Sequence, residues 1–249
     1  MITLTLIGIG TGNPDHLTRQ AVKAINRADL ILIPEKGAGK EDLATLRRAI
    51  CDEVLSNPAT KTVGFPLPVR DDSIADYRSR VDHWHAAIAA IWSGQIARHL
   101  GDHGRVALLV WGDPSLYDST LRIAARLQPV PQIEVVVPGI TAIQGLTAAH
   151  AIVLNEIGAA FCVTTGRHLR ESGFPAGVET CVVMLDGECS FLTLDPVGLH
   201  IWWGAYVGMA DEITLAGPLA ETALAIKAAR DAARARHGWI MDIYLLRRV

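Results

Sequence analysis

A chain of 249 residues, half of them apolar and 20% charged, has globular composition and room for two domains of ordinary size. Its 23 basic and 26 acidic residues leave a formal charge of −3 with no long basic block. General nucleic-acid binding is therefore disfavoured, because neutralising phosphates takes clustered Lys and Arg. The longest apolar runs, at 30–34 and 106–111, are strand-sized and far short of the roughly 20 residues that span a bilayer.

The predicted elements begin with a β-rich run at 2–9, followed by the loop Gly10-Thr11-Gly12-Asn13-Pro14. Leu17, Ala21, Ala24, Ile25 and Ala28 then recur on one helical face, and 30–34 reads as a second buried strand. Strand, helix, strand in so short a stretch is a βαβ unit, so the sheet is expected to be parallel with a right-handed crossover. A helix at 41–49, a strand at 61–65 and a long helix at 73–96 follow. Next come a strand at 106–111, a helix through Leu121 and Ala125, and a strand at 134–137 closed by Pro138-Gly139. Helices on both faces of about five strands make one doubly wound domain, spanning 1–138.

The second domain, 139–249, reads as α/β with a mixed sheet. It has a helix near 142–150 and strands near 160–165, 179–185, 200–204 and 212–215. A helix at 219–236 precedes a last strand at 239–247. Cys51, Cys162, Cys181 and Cys189 lack C-x-x-C spacing, and Cys162 and Cys181 sit in strand-like surroundings, which suits buried free thiols in a reducing cytoplasm. The first residues lack a signal peptide's basic start and cleavage site, so a cytoplasmic protein is expected.

Ligands of open α/β sheets bind beyond the carboxyl ends of the strands. Three glycine-bearing loops take that position: 8–14, 112–117 and 139–142. Glycine there serves positive φ or a close backbone approach, although ordinary strand-to-helix turns would use it too. A dinucleotide fingerprint G-x-G-x-x-G would need glycine where Asn13 stands. Glu35, after the second strand, keeps a nicotinamide-dependent reductase as the alternative of another class. No G-x-x-x-x-G-K-[ST] or G-x-S-x-G sequence occurs. His99 and His103 have i, i+4 spacing but are interrupted by Gly101, and no metal site is expected.

Together the loops resemble the tetrapyrrole (class III) methyltransferases that use S-adenosylmethionine (SAM). Gly8-Ile9-Gly10-Thr11-Gly12-Asn13-Pro14-Asp15-His16-Leu17-Thr18 resembles their G-x-G-x-G-x-P-x-x-L-T start. Gly112-Asp113-Pro114-Ser115-Leu116-Tyr117 is similar to their G-D-P-x-x-Y/F motif, and Pro138-Gly139-Ile140-Thr141-Ala142 to P-G-[IV]-[TS]-[SA]. Order and spacing agree over nearly the whole chain. Within the family, the chain is similar to the deacetylating precorrin methyltransferases of oxygen-dependent cobalamin synthesis. The segments that carry this likeness are Pro34-Glu35-Lys36-Gly37, Asp82-His83-Trp84-His85, VWGDPSLYDS from Val110, Thr164-Thr165-Gly166-Arg167, MLDGE from Met184, WGAY from Trp203 and GWIMDIYLLR from Gly238. Glu35 stands where the family more often has Asp, which keeps the charge.

The resemblance implies a two-domain tetrapyrrole methylase fold with a parallel N-terminal sheet, a mixed C-terminal sheet and the active-site cleft between them. It also implies a homodimer and SAM as methyl donor. Matching positions put cofactor contacts at Pro14, Trp111, Gly112, Asp113, Leu116, Tyr117, Thr141 and Ala142, then at Met184 or Leu185, and at Gly204, Ala205 and Tyr206. The implied reaction is methylation of precorrin-5 at carbon 1 with its acetyl group lost as acetate; a C-methylation without deacetylation is the nearest alternative. Deacetylation needs water added to a carbonyl, which favours a general base and an oxyanion donor. Polar candidates are Asp113, Tyr117, Asp118, Glu156, Arg167, Asp186 and Glu188. Tyr117 is assigned to positioning and Asp186 or Glu188 to proton handling. Lys36, Arg167 and Arg170 are assigned to the carboxylates of the acceptor, because Arg grips carboxylate bidentately.

Overall fold

The fold, a computed structural model, describes residues 1–35 and 42–249 and divides into two compact units, Met1–Thr141 and Ala142–Val249. Lys36 lies outside the described residues.

The first unit runs β1 (Ile2–Gly8), α1 (Arg19–Arg27), β2 (Leu30–Glu35), α2 (Asp42–Val54), β3 (Lys61–Pro66), α3 (Tyr77–Leu100), β4 (Gly104–Val110), α4 (Thr120–Ala124) and β5 (Gln132–Val137). All five strands are parallel, in the order β3-β2-β4-β1-β5. Strict alternation of side chains decides which helix packs on which face. Leu4, Leu6, Leu30, Leu32, Val106 and Leu108 meet Ile88, Trp92 and Ile96 of α3. Their neighbours Ile7, Ile31, Ile33, Ala107 and Leu109 meet Ala21 and Ile25 of α1 and Ile50 of α2. Burial on both faces explains the unbroken apolar runs, and each fully buried Leu or Ile contributes about 1.5–3 kcal/mol.

The long helix starts later than its apolar pattern suggests, at Tyr77 rather than 73. Asp76 caps it by accepting from the Ser79 N–H at 2.7 Å, and Gly101, at φ 66°, ends it.

The second unit runs α5 (Ala142–Ala149), β6 (Phe161–Thr165), α6 (Gly166–Ser172), β7 (Thr180–Met184), β8 (Leu199–Ala205), β9 (Ile213–Pro218), α7 (Leu219–His237) and β10 (Asp242–Arg248). Its sheet is mixed, in the order β6-β7-β10-β8-β9, with only β6 and β7 parallel. Helix α6 is absent from the sequence reading; its opening is set by Thr165, whose hydroxyl accepts from the His168 N–H. The last strand begins at Asp242 rather than 239, because Trp239 packs edge-on to Tyr206, with ring centroids 4.9 Å apart. No helix among the described residues is long and apolar enough to cross a membrane.

Candidate active site

In the first unit the three glycine loops converge at the carboxyl ends of β1, β4 and β5. Gly10 and Gly112 form an isolated antiparallel bridge, with the Gly112 N–H donating to the Gly10 carbonyl at 2.8 Å. A Cβ on Gly8 would stand 2.6 Å from the Gly139 nitrogen, and one on Gly139 only 1.9 Å from the Gly112 carbonyl oxygen. These two glycines are therefore required for backbone to meet backbone. Gly112 has a different reason: at φ 66° it occupies the left-handed region, and a Cβ there would meet nothing closer than the Thr141 Cα at 3.9 Å.

Asp113 fastens two of the loops. Its carboxylate accepts from the Gly139 N–H at 2.9 Å, and from the N–H of Ser115 at 2.8 Å as well as its hydroxyl. Partial burial opposes ionisation, but the hydrogen bonds from Ser115 and Gly139 outweigh it and hold the carboxyl below its ordinary range. In the first loop the Asn13 side chain accepts from the Asp15 N–H at 2.9 Å, Pro14 opens a short 3-10 turn, and Thr18 caps α1. Tyr117 is half exposed at φ 50°, an unfavourable backbone for a non-glycine residue. Trp111, Leu116 and Thr141 are each partly exposed. Glu35, the alternative ribose acid, is paired with Arg48.

In the second unit Leu185 and Tyr206 also hold positive φ, 54° and 52°. Three candidate residues thus share a strained backbone. Strain of this kind, about 1–3 kcal/mol each, collects where surrounding structure forces it. Leu185 is exposed, while Met184 is partly buried at the end of β7. Gly204, Ala205 and Tyr206 lie at the end of β8, with Ala205 and Tyr206 buried. The Tyr206 hydroxyl donates to the Trp239 carbonyl at 2.7 Å, which ties this side chain to the segment before β10. Ala142 opens α5.

Asp186 and Glu188 differ sharply. Asp186 is buried and accepts four hydrogen bonds: from the Tyr244 hydroxyl at 2.7 Å, the Ser190 N–H at 2.6 Å, the Ser190 hydroxyl at 2.9 Å and the Glu188 N–H at 3.1 Å. Burial and the neighbouring Asp186 push the Tyr244 hydroxyl up, which keeps it a donor. Arg230 continues the cluster, reaching the Asp186 carbonyl at 3.0 Å and Asp242 at 2.9 Å. Glu188 is exposed, 3.4 Å from Arg170, and Arg170 also donates to the Ser190 hydroxyl at 2.8 Å. Arg167 is exposed in the first turn of α6. Glu156 pairs with Arg247 at 3.0 Å.

The comparisons with known proteins fit this arrangement. The model of the Tetrapyrrole (Corrin/Porphyrin) Methylases matches residues 3–223. The chain belongs to this family. It is 48% identical over its full length to a precorrin-6A synthase [deacetylating] from Sinorhizobium sp, covering 96% of that protein. A crystal structure of a putative cobalamin synthesis related protein (CobF) from Corynebacterium diphtheriae is 39% identical, with a TM-score of 0.84, covering 100% of this chain and 99% of that one. At 19% identity and a TM-score of 0.57, uroporphyrin-III C-methyl transferase from Thermus thermophilus complexed with S-adenyl homocysteine shares the fold, over 98% of this chain and 96% of that one.

Arg47 shares the face of α2 with Ala44 and Cys51, at spacings of three and four, and both of those are buried. Among the described residues no group of three or more His, Cys, Asp or Glu could hold a metal ion.

Proposed function

We infer that this chain is a SAM-dependent C-methyltransferase that converts precorrin-5 to precorrin-6A, methylating carbon 1 and releasing acetate. The observation that carries the reading is the 48% identity, end to end, with a precorrin-6A synthase [deacetylating]. The glycine loops suit the cofactor: Gly112 leaves the space of a side chain open beside Thr141, and Asp113 holds the surrounding loops at fixed spacing. We assign Pro14, Trp111, Gly112, Asp113, Leu116, Tyr117 and Thr141 of the first unit to SAM. Ala142, Met184, Leu185, Gly204, Ala205 and Tyr206 of the second unit are assigned to the same ligand on the family resemblance.

SAM supplies an electrophilic methyl group on a sulfonium, so the protein's task is alignment and exclusion of water. An enamine-like pyrroline carbon attacks such a methyl group without a strong base. Tyr117, half exposed beside the Gly112–Asp113 turn, is assigned to positioning. Deacetylation asks more, because water must be deprotonated as it adds to the acetyl carbonyl. The exposed carboxylate of Glu188 suits that role, whereas Asp186, with four donors on its two oxygens, suits holding the 186–190 turn. Arg167 and Arg170 are assigned to acceptor carboxylates, as is Lys36. A cytoplasmic homodimer is the assembly and location we propose on the same resemblance.

The test is to supply precorrin-5 and SAM anaerobically and to quantify S-adenosylhomocysteine, acetate and the corrinoid mass. Equal yields of acetate and S-adenosylhomocysteine are expected. Methylation without acetate would replace this reading with a plain precorrin C-methyltransferase.

A further inference from the structure

In the second unit one buried side chain of α7 ties together backbone from three strands. Arg230 is only 5% exposed, and separate nitrogens of its guanidinium serve separate acceptors. Nη2 donates to the Asp186 carbonyl at 3.0 Å, just past the end of β7. Nε donates to the Asp242 carboxylate at 2.9 Å, at the start of β10. The same Asp242 oxygen accepts from the Trp203 indole N–H at 3.0 Å, and Asp242 is the register partner of Ala205 on β8. Because β10 lies between β7 and β8 in the sheet, Arg230 links the turn after β7 to the last residues of β8. His150 of the same unit adds a further tie, its Nε2 lying 3.0 Å from the Trp203 carbonyl.

The two ends of that link are the stretches assigned to the cofactor. Leu185, immediately before Asp186, holds φ 54°, and Tyr206, immediately after Ala205, holds φ 52°. A non-glycine residue keeps such a backbone only where its surroundings hold it there. A buried ion pair adds little net stability over an apolar pair of the same shape, because lost hydration offsets the attraction. What the Arg230 pair adds is geometry, since a planar group with fixed donor directions sets how far apart its acceptors stand. Resting on the assignment of these two stretches to SAM, we propose that Arg230 is a positioning residue. It acts through Asp186 and Asp242 to fix the spacing of Leu185 and the 204–206 stretch for the cofactor.

Melting temperature and calorimetric affinity for S-adenosylhomocysteine, measured on the full chain, separate positioning from plain stability. The variants are Arg230→Lys, Arg230→Gln and Ile226→Val. Ile226 is buried on α7 one turn earlier, in the core of the same unit, so its truncation lowers stability without touching the link. Arg230→Lys keeps a cation for Asp242 but loses the planar group that serves both acceptors. Both Arg230 variants are expected to bind roughly tenfold more weakly or worse, with Arg230→Lys melting above Arg230→Gln. Ile226→Val is expected to melt below wild type and bind like it. Wild-type affinity in a folded Arg230 variant overturns the proposal, and so does an equal loss of affinity in Ile226→Val. If neither Arg230 variant folds, hydrogen exchange on the wild type decides. S-adenosylhomocysteine should slow exchange at both 184–186 and 204–206, and slowing at only one or at neither overturns the proposal. Wild type that does not bind S-adenosylhomocysteine defeats the cofactor reading and this inference together. Wild type that binds it no better than the Arg230 variants defeats this inference alone.

Discussion

Gly139 donates its backbone N–H to the Asp113 carboxylate at 2.9 Å while lying so close to Gly112 that a Cβ would sit 1.9 Å from its carbonyl oxygen. The loops after β4 and β5 are thus joined by a hydrogen bond and by the absence of a side chain. Gly139→Ala should force them apart, because the clash is with the backbone of Gly112 and of Gly8 at the end of β1. We expect at least a tenfold weaker affinity for S-adenosylhomocysteine and a stability loss of about 1–3 kcal/mol, with the fold retained. Unchanged affinity by calorimetry would mean that the spacing of these loops does not set the cofactor site.

Acid should loosen the first unit through its depressed carboxylates, of which Asp29 and Asp113 are the partly buried ones. Asp29 is held below its ordinary value chiefly by the Arg105 side chain, and Asp113 by Ser115 and Gly139 against the opposing effect of burial. A carboxyl depressed in the folded state contributes stability that is fully present above the unfolded value, near 3.9, and is lost as pH falls through the lower folded value. Urea midpoints should therefore be flat in these contributions from pH 7 to 5 and decline below about pH 4. Asp113→Asn should be less stable than wild type at pH 7 and converge on it in acid. A constant gap across that range would show that Asp113 acts through shape rather than charge.

Much of the first unit was legible because fully buried parallel strands leave uninterrupted runs such as Leu-Ile-Leu-Ile at 30–33, and because Gly and Pro mark their ends. Helix α6 was not, since Thr165 and Gly166 belong to a short strand-to-helix turn whose cap is visible only once His168 is placed. The glycine loops were legible as loops but not in their reason, since Gly8 and Gly139 answer to each other's backbones across 131 residues of chain. Asp186 shows the sharper limit. A carboxylate after a strand reads as a proton carrier until Tyr244 and Ser190, remote in sequence or hidden in a turn, are seen to occupy its oxygens.

The cations of α6, Arg167 exposed and Arg170 half-buried, should affect the acceptor and spare the cofactor. Arg167 lies at the start of α6, and Arg170 is already held by Ser190 and Glu188. Arg167→Ala is expected to raise the KM for precorrin-5 several-fold without changing the melting temperature, since exposed charges contribute at most about 1 kcal/mol to stability. Arg170→Ala should raise that KM as well and free the Glu188 carboxylate, but it also removes a donor from the buried Ser190 hydroxyl and should lower the melting temperature. An unchanged KM in Arg167→Ala would remove that residue from the acceptor site.

Asp186 and Glu188, two residues apart, should give opposite phenotypes. A Cβ on Gly166 would stand 2.3 Å from the Asp186 carboxyl carbon, so glycine is required beside a carboxylate that cannot move. Asp186→Ala leaves the Tyr244 and Ser190 hydroxyls without their acceptor and should destabilise by about 3 kcal/mol or more. Tyr244→Phe, which removes one donor and leaves Ser190 in place, should lose about 1–2 kcal/mol. Glu188→Gln touches no buried group, so its melting temperature should match wild type, while the rate of acetate release falls by at least about tenfold, within what a lost general base gives. The decisive comparison is acetate release from Glu188→Gln against Tyr244→Phe at a temperature where both are folded. A slower Tyr244→Phe with an unaffected Glu188→Gln would move the chemistry back to the buried cluster, because only a carboxylate that loses a donor without losing its place could then be acting on the acceptor.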